Sequence, residues 1–159
     1  VNMATTIKAA TLTATLTEAI TLNGYDQGSK NILSISSVTE AHKRIITVPT
    51  SERTIINIGT LVGAGMFVEG DVKYIRITNL DDTNHAGLIF QNENDDEFAV
   101  KLDKGQSFIY NGDLSAGLVD TMDAIDNSGL SANTFGDLVS VTAIADTAAV
   151  DLEIFIAST

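Results

Sequence analysis

Apolar side chains and threonines alternate along the first part of the chain. One parity carries Ala10, Leu12, Ala14, Leu16, Ile20 and Leu22, with Glu18 as the exception, and the other carries Thr11, Thr13, Thr15, Thr17 and Thr21. A period of two with β-branched residues on one face is typical of a half-buried β-strand, whereas a helix needs apolar positions at a spacing of 3.6. The run exceeds the usual strand length of about 5–6 residues. We therefore predict an extended N-terminal arm and first strand in residues 1–22, and a single domain in residues 23–159.

The rest of the chain repeats this strand pattern at short intervals. Sequences rich in Asn, Asp and Gly separate the runs, and pairs such as Asn23-Gly24 favour tight reversals. Two windows differ: the Gly-rich residues 60–68 predict a bulged strand or buried loop, and residues 118–125 a short helix. About ten strands and few helices predict an all-β fold, an antiparallel β-sandwich of jelly-roll type. The nine further predicted strands span residues 31–38, 43–48, 54–58, 72–79, 87–92, 97–102, 107–110, 138–145 and 149–157.

Composition excludes several classes of protein. The 159 residues include no Cys, so there is no thiol nucleophile and no Cys-based metal site. The formal net charge of −12 opposes non-specific nucleic-acid binding, which depends on Lys and Arg. The first residues lack the basic and apolar segments of a secretory signal, and no apolar run approaches the ~20 residues that span a bilayer. We expect neither a nucleic acid nor a membrane as partner.

The negative charge is concentrated in the second half. Residues 1–80 carry seven basic and six acidic residues, a net of +1, whereas residues 81–159 carry fifteen acidic residues against only Lys101 and Lys104, a net of −13. Apolar strand patterns continue to the end of the chain, so this half is no detached acidic tail. We expect the acidic residues to occupy one side of the sandwich. The near-neutral half, with the basic cluster His42-Lys43-Arg44 and nearby Arg53, would then be a solvated strand edge or meet another subunit.

No catalytic or cofactor-binding residues can be assigned. Gly63 and Gly65 begin a dinucleotide fingerprint, but Val68 stands where its third Gly belongs, and no Gly-Lys-Ser/Thr of a P-loop occurs. Ser107 lacks the second Gly of a nucleophile elbow. The chain has no Trp and only three Tyr to stack on sugars (Tyr25, Tyr74, Tyr110), which disfavours a carboxylate pair for glycoside hydrolysis. We expect no enzyme activity and no cofactor.

The candidate metal ligands also do not occur in the sequence pattern of a metal site. His42 is followed by two cations, and His85 follows an oxygen-rich turn, residues 81–84, that could hold Ca²⁺ but is typical of a solvated hairpin tip. The acidic clusters 93–97 and 120–126 lack the alternate oxygens, central Gly and terminal Glu of an EF-hand. We therefore expect no resident metal.

Four segments carry a family resemblance. They are Tyr74-Ile-Arg-Ile-Thr-Asn-Leu-Asp-Asp-Thr-Asn-His, Gly87-Leu-Ile-Phe-Gln, Glu97-Phe-Ala-Val-Lys-Leu and Lys104-Gly-Gln-Ser-Phe-Ile-Tyr. Together with the opening Met3-Ala-Thr-Thr-Ile-Lys-Ala and the ending Val150-Asp-Leu-Glu-Ile-Phe-Ile-Ala-Ser-Thr, the chain resembles virion structural proteins of marine tailed phages, cyanophages in particular.

This resemblance implies a β-sandwich module of a virion and supplies no catalytic residues. The expected role is a capsid decoration (cement) protein on the outer capsid surface, with the major capsid protein as partner and a homo-oligomer, a trimer by preference, as the working form. A β-sandwich of the tail, neck or fibre is one alternative, and a carbohydrate-binding adhesive module is another.

Overall fold

The computed structural model describes residues 6–111, 119–122 and 135–159, and these residues fold almost entirely as β-strands. The described part contains no α-helix and one short 3₁₀ turn, Glu69–Asp71, which confirms the all-β prediction. The strands in chain order are β1 Ala10–Glu18, β2 Thr21–Leu22, β3 Tyr25–Asp26, β4 Ser29–Val38, β5 Glu40–Val48, β6 Arg53–Gly59, β7 Phe67–Val68, β8 Val72–Asn79, β9 Ala86–Asn92, β10 Glu97–Leu102, β11 Ser107–Asn111, β12 Val119–Met122, β13 Phe135–Ala145 and β14 Val150–Ser158.

Two sheets make the body of the molecule. The first has four strands in the order β11-β8-β14-β5. The second has six, in the order β10-β9-β13-β6-β7 with β12 also paired with β13. The pairings are antiparallel, as predicted, except for the short parallel contact between β6 and β7.

Side chains from both sheets meet in one buried cluster. Every second residue of the central strands points into it, because successive side chains of a strand lie on opposite faces. Ile75 and Ile77 of β8, Ile154 of β14, and Leu88 and Phe90 of β9 are each at most 1 % exposed. Phe90 also stacks on Phe98, with the ring centroids 4.7 Å apart. Burial of this aliphatic and aromatic surface, at about 25 cal/mol per Å², is the main force holding the sheets together.

Residues 10–38 add a long hairpin outside this body. β1 pairs with β4 of the same chain, and β2 pairs with β3 at the far end. The base of the hairpin packs on the outer face of the four-stranded sheet, where Ile35 and Val38 bury against Tyr74 and Ala157. The predicted first strand is thus confirmed, and its ladder partner is β4.

A β-bulge lets the hairpin bury two residues that are three apart. Ala10 pairs with Val38 and Leu12 with Ile35, so one more residue stands on β4 than on β1. Ser37, in the extra segment, has a φ of 62°. The bulge restores the inward direction of Val38 after Ile35. A single residue, Thr39, then leads into β5, and its N–H donates to the Ser158 carbonyl at 3.0 Å.

Four connections between the two sheets gather at one end of the body. They run from β5 to β6, from β8 to β9, from β10 to β11 and from β13 to β14. Backbone hydrogen bonds join them: the N–H of Ala145 donates to the Pro49 carbonyl, and that of Asp146 to the His85 carbonyl. The fully buried Asn79 donates to the Asn84 and Leu102 carbonyls at 3.0 and 3.1 Å. This amide joins two of the crossings, from β8 to β9 and from β10 to β11.

Two local predictions were wrong. In residues 60–68, Leu61 and Val62 are 77 % and 89 % exposed, so this Gly-rich segment is a surface loop that ends in β7 rather than a buried one. In residues 118–125, the described part Val119–Met122 is a strand, because it pairs with the start of β13; residues 118 and 123–125 lie outside the described residues. Pairing with a distant strand outweighs the local helical spacing of the aspartates.

The acidic residues concentrate in loops rather than on one side of the body. Of the twelve acidic residues after position 80 that lie in the described residues, seven are in connections: Asp81, Asp82, Glu93, Asp95, Asp96, Asp103 and Asp146. The four-stranded sheet has four basic residues against three acidic ones. The expectation of one acidic side is therefore wrong, since turns favour Asp and Asn for their local hydrogen bonds.

Candidate interaction surface

The far end of the hairpin is exposed along its whole length. Every residue from 15 to 27 is solvent-exposed, including Ile20 at 54 %, Leu22 at 59 % and Tyr25 at 73 %. We call residues 19–27 the hairpin tip. Isolated two-stranded hairpins are marginally stable in water, and large apolar side chains gain nothing from such exposure. The tip therefore has the composition of a contact surface.

The tip has a well-defined shape. Asn23 and Gly24 have φ values of 51° and 82°, the two positive values of a type I′ turn, as their sequence predicts. Gly28 sits where a Cβ atom would come within 2.4 Å of the Glu18 carbonyl oxygen, so the strands approach here as only glycine permits. The Gly28 N–H donates to Asp26 Oδ1 at 2.9 Å, and Ser29 hydrogen-bonds to Glu18. These contacts give the tip a fixed direction.

A groove of about 510 Å³ runs between the hairpin and the outer face of the four-stranded sheet. Leu16 and Ile109 are exposed there at 52 % and 42 %, on opposite walls. The other lining residues include Ala14, Leu33, Tyr74 and Arg76. Ile109 belongs to β11, which is an edge strand of its sheet. The groove is mostly apolar and lies beside an open strand edge.

The carboxylate of Glu153 pairs with the neighbouring cations on this face. Glu153 accepts from Arg76 at 2.6 Å and lies 3.2 Å from Lys43 Nζ. The hydrogen bond from Arg76, then that from Lys43, lowers the pKa of Glu153 below its ordinary value. Arg76 also hydrogen-bonds to Thr78, whose hydroxyl lies 2.7 Å from that of Ser107. The Glu153 carboxylate is thus paired with two cations, and this face carries no excess of negative charge.

The basic cluster predicted around residue 43 is divided by the strand it lies on. Lys43 points outward to Glu153, while Arg44 donates to the Ile55 carbonyl at 2.6 Å and links β5 to β6. The His42 ring packs edge-on against Phe67 at 5.8 Å. Arg53 starts β6 in the other sheet. Because these residues face different ways, they form no single basic patch.

The acidic turn at residues 81–84 stabilises itself. Asp81 Oδ1 accepts from the N–H groups of Thr83 and Asn84, at 2.7 and 2.5 Å. These backbone hydrogen bonds lower the pKa of Asp81. His85, the next residue, has Nδ1 3.7 Å from Asp146 Oδ2. The carboxylate therefore acts as the acceptor of a tight turn. This turn lies in a connection between the two sheets, so the predicted hairpin tip is wrong.

A second acidic group lies at the opposite end of the body. Burial raises the pKa of Glu69, and the negative charges of Asp137 and Glu93 raise it further. Glu93 and Asp137 are joined by a backbone hydrogen bond of 2.9 Å. Within the acidic segment 93–97, the Asn92 carboxamide oxygen accepts from two backbone N–H groups, those of Asn94 and Asp96, both at 2.9 Å. These contacts explain the segment as a turn.

The remaining candidates come together in no common site. Gly63 and Gly65 lie in the exposed loop before β7, and Ser107 lies in β11. Of the acidic cluster 120–126, only the backbone of residues 120–122 belongs to the described structure. In the ranges described, no three His, Asp or Glu side chains converge as a metal site would require. None of the described helical segments has the length and apolarity to cross a bilayer.

Sequence reasoning missed the buried asparagines and the groove. Asn79 and Asn92 are 0 % and 1 % exposed and each ends a strand before a turn. Their position at the boundary between an apolar run and a turn is a local signal that could have identified them. The groove has no such signal, because it forms between β1, β4, β8 and β11, which are distant in the chain.

Comparison of the chain with protein-family models, with curated proteins and with solved structures finds no match in any of the three.

Proposed function

We propose that this protein is a non-enzymatic virion structural protein, a capsid decoration protein that binds the major capsid protein on the outer surface of a phage shell as a homo-oligomer. The observation that carries this proposal is the exposed apolar hairpin attached to a closely packed all-β body. A decoration protein needs a stable body and an element that reaches neighbouring subunits. The sequence resemblance to phage virion proteins points the same way.

The proposal includes a jelly-roll β-sandwich as the fold. Two features support it. The strand orders include β5-β14-β8-β11 and β6-β13-β9-β10, and these eight strands, taken in chain order, alternate between the two sheets except at the β9–β10 hairpin. Eight strands wound as two Greek keys give this order, and many viral capsid proteins use it. The four connections gathered at one end of the body agree with this winding.

The hairpin supports a role in assembly rather than catalysis. Side chains that form a recognition surface in a complex are exposed in the free chain, and strand edges give affinity through backbone hydrogen bonds. β1 and β4 pair only with each other, so each keeps one open edge among the described strands. A capsid subunit can extend this two-stranded sheet.

Binding to expanded capsids that lack the protein tests the proposal. We expect saturable binding at a fixed ratio to the major capsid protein, and quantitative mass spectrometry of intact virions should find a copy number near that of the shell protein. A handful of copies per particle would favour the tail, neck or fibre alternative. Failure to bind capsids, with signals on a glycan array, would favour the adhesive module.

Lys43→Glu tests whether the sheet face that carries Glu153 contributes to attachment. Reversal of this charge places two carboxylates together and should weaken capsid binding several-fold. Lys101→Glu is the matched control, because Lys101 is an exposed residue of β10 in the other sheet. Equal binding by both variants would exclude this face from the contact.

A further inference from the structure

The hairpin tip and the groove are two exposed apolar surfaces on one molecule, and they are separate. The groove ends near Leu16 and Asn31, whereas the tip begins at residue 19. At about 3.3 Å per strand residue, Tyr25 lies roughly 15–20 Å beyond Leu16 along the hairpin. The tip does not occupy its own groove, because none of residues 19–27 lines the groove and all of them are exposed.

We infer that the tip of one copy inserts into the groove of a second copy. The occupant and its receptor are then both present on the chain: an apolar projection that carries Ile20, Leu22 and Tyr25, and an apolar groove between Leu16 and Ile109. Such a contact removes both exposed surfaces from water at once. This inference deepens the homo-oligomer of the proposed function and rests on that function for the expectation that copies assemble.

Charge favours a second copy as the occupant. The hairpin, residues 10–38, has two acidic residues, Glu18 and Asp26, and one basic residue, Lys30, so it is close to neutral in a chain of net charge −12. Like charges oppose contact between other parts of the two surfaces. The groove wall also carries no excess of negative charge, since the one carboxylate of Glu153 is paired with two cations, Arg76 and Lys43. Two acidic copies therefore meet with least repulsion at these surfaces.

The size of the contact lies at the small end for specific interfaces. A tip of three large apolar side chains seated in a groove of about 510 Å³ buries on the order of 1,000 Å² in total, close to the lower range of specific interfaces. Each copy offers one tip and one groove, so the contact is head-to-tail. Head-to-tail contacts close into rings when the rotation permits. A three-fold ring corresponds to the predicted trimer.

Two double variants test the contact. Leu22→Thr with Tyr25→Thr removes the apolar tip, and Leu16→Thr with Ile109→Thr removes the apolar groove; Thr keeps the β-branched shape that strands favour. Leu61→Thr with Val62→Thr removes a similar apolar area from an exposed loop elsewhere and is the control. Circular dichroism should show the wild-type β-sheet spectrum for all three, because the replaced side chains are exposed within a single copy.

Analytical ultracentrifugation measures the oligomeric state of each protein. Wild type and the loop control should sediment as one closed oligomer, and the tip and groove variants should each be monomeric. Mixed in equal amounts, the two variants should form a heterodimer, because the groove variant keeps its tip and the tip variant keeps its groove. Monomeric wild type, an oligomeric groove variant, or a mixture that stays monomeric would each overturn the inference.

Capsid binding separates this inference from the proposed function. Wild type that is monomeric in solution and on expanded capsids, yet binds them at a fixed ratio, would overturn the tip-in-groove contact and leave the decoration role standing. Wild type that forms the ring but does not bind capsids would do the reverse.

Discussion

The two-sheet body and the hairpin are built from the same kinds of residue with opposite results. In the body, Leu152 and Ile154 are at most 1 % exposed, whereas Leu22 and Tyr25 of the hairpin are more than half exposed. The alternation of apolar and polar positions is equally regular in both. What differs is whether a second sheet lies opposite the apolar face. Period-two patterning thus creates apolar faces, and tertiary context decides whether they form a core or a contact surface.

The comparison predicts that one leucine matters for stability and the other does not. Leu152→Ala empties a fully buried site and should lower the free energy of unfolding by about 2–5 kcal/mol. Leu22→Ala, the matched control, should change it by less than about 0.5 kcal/mol when measured at a protein concentration low enough to keep the copies separate. Urea denaturation measures both. Phe98→Ala should fall between them because Phe98 is half-buried. Equal effects of the two leucines would remove the distinction between body and hairpin.

Asn79 and Asn31 allow the same comparison between a buried and an exposed side chain, here for polar residues. Asn79→Ala removes three hydrogen bonds from a fully buried site, those to Asn84 and Leu102 and that from the Asp81 N–H, and should cost about 1–3 kcal/mol. Asn31→Ala is the control, since Asn31 is exposed in the hairpin. Thermal unfolding at neutral pH should show a clear loss only for the first. A silent Asn79→Ala would mean that water replaces the amide.

Gly28→Ala should disturb the hairpin alone. The new Cβ would meet the Glu18 carbonyl oxygen at 2.4 Å, so the strands must separate. We expect amide exchange in residues 10–35 to quicken by about tenfold or more, with the core strands unchanged. Gly70→Ala is a control, because nothing lies within 4 Å of a Cβ there. Faster exchange throughout the body would show that the two regions unfold together.

Glu153 and Glu69 should change the stability of the fold in opposite directions as pH falls. The pKa of Glu153 is lowered, so its stabilisation is present above the ordinary value of 4.5 and is lost as pH falls through the folded-state pKa. The pKa of Glu69 is raised in the folded protein. The fold therefore gains stability as pH falls from above this raised pKa to the ordinary value of 4.5. Thermal melts from pH 7 to pH 3 test this.

Substitution of each glutamate by glutamine shows which part of the pH dependence that residue causes. Glu153→Gln should flatten the loss at low pH, and Glu69→Gln should stabilise the protein slightly near neutral pH and remove the opposing trend. Unchanged profiles in both variants would show that other carboxylates dominate the titration.

Local structure was largely predictable from the sequence, and long-range partners were not. The strands of the body and the Asn23-Gly24 turn follow from patterns within a few residues. The partner of β1 did not, because the pairing of Leu16 with Asn31 depends on the whole hairpin. The strand Val119–Met122 was mistaken for part of a helix for the same reason: its ladder partner lies in β13. The groove depends on four strands at once, so no local window contains it.

The single-residue link between hairpin and body determines how the molecule carries mechanical load. A pull on the hairpin reaches the body through Thr39 and enters β5 at Glu40, whose partner is Ser158 near the chain end. Nine residue pairs join β5 to β14, and their hydrogen bonds run perpendicular to the strands. A pull along β5 stretches these bonds together in shear, whereas a pull across the sheet opens them one pair at a time. The direction of tension on the hairpin therefore sets the force at which this strand detaches.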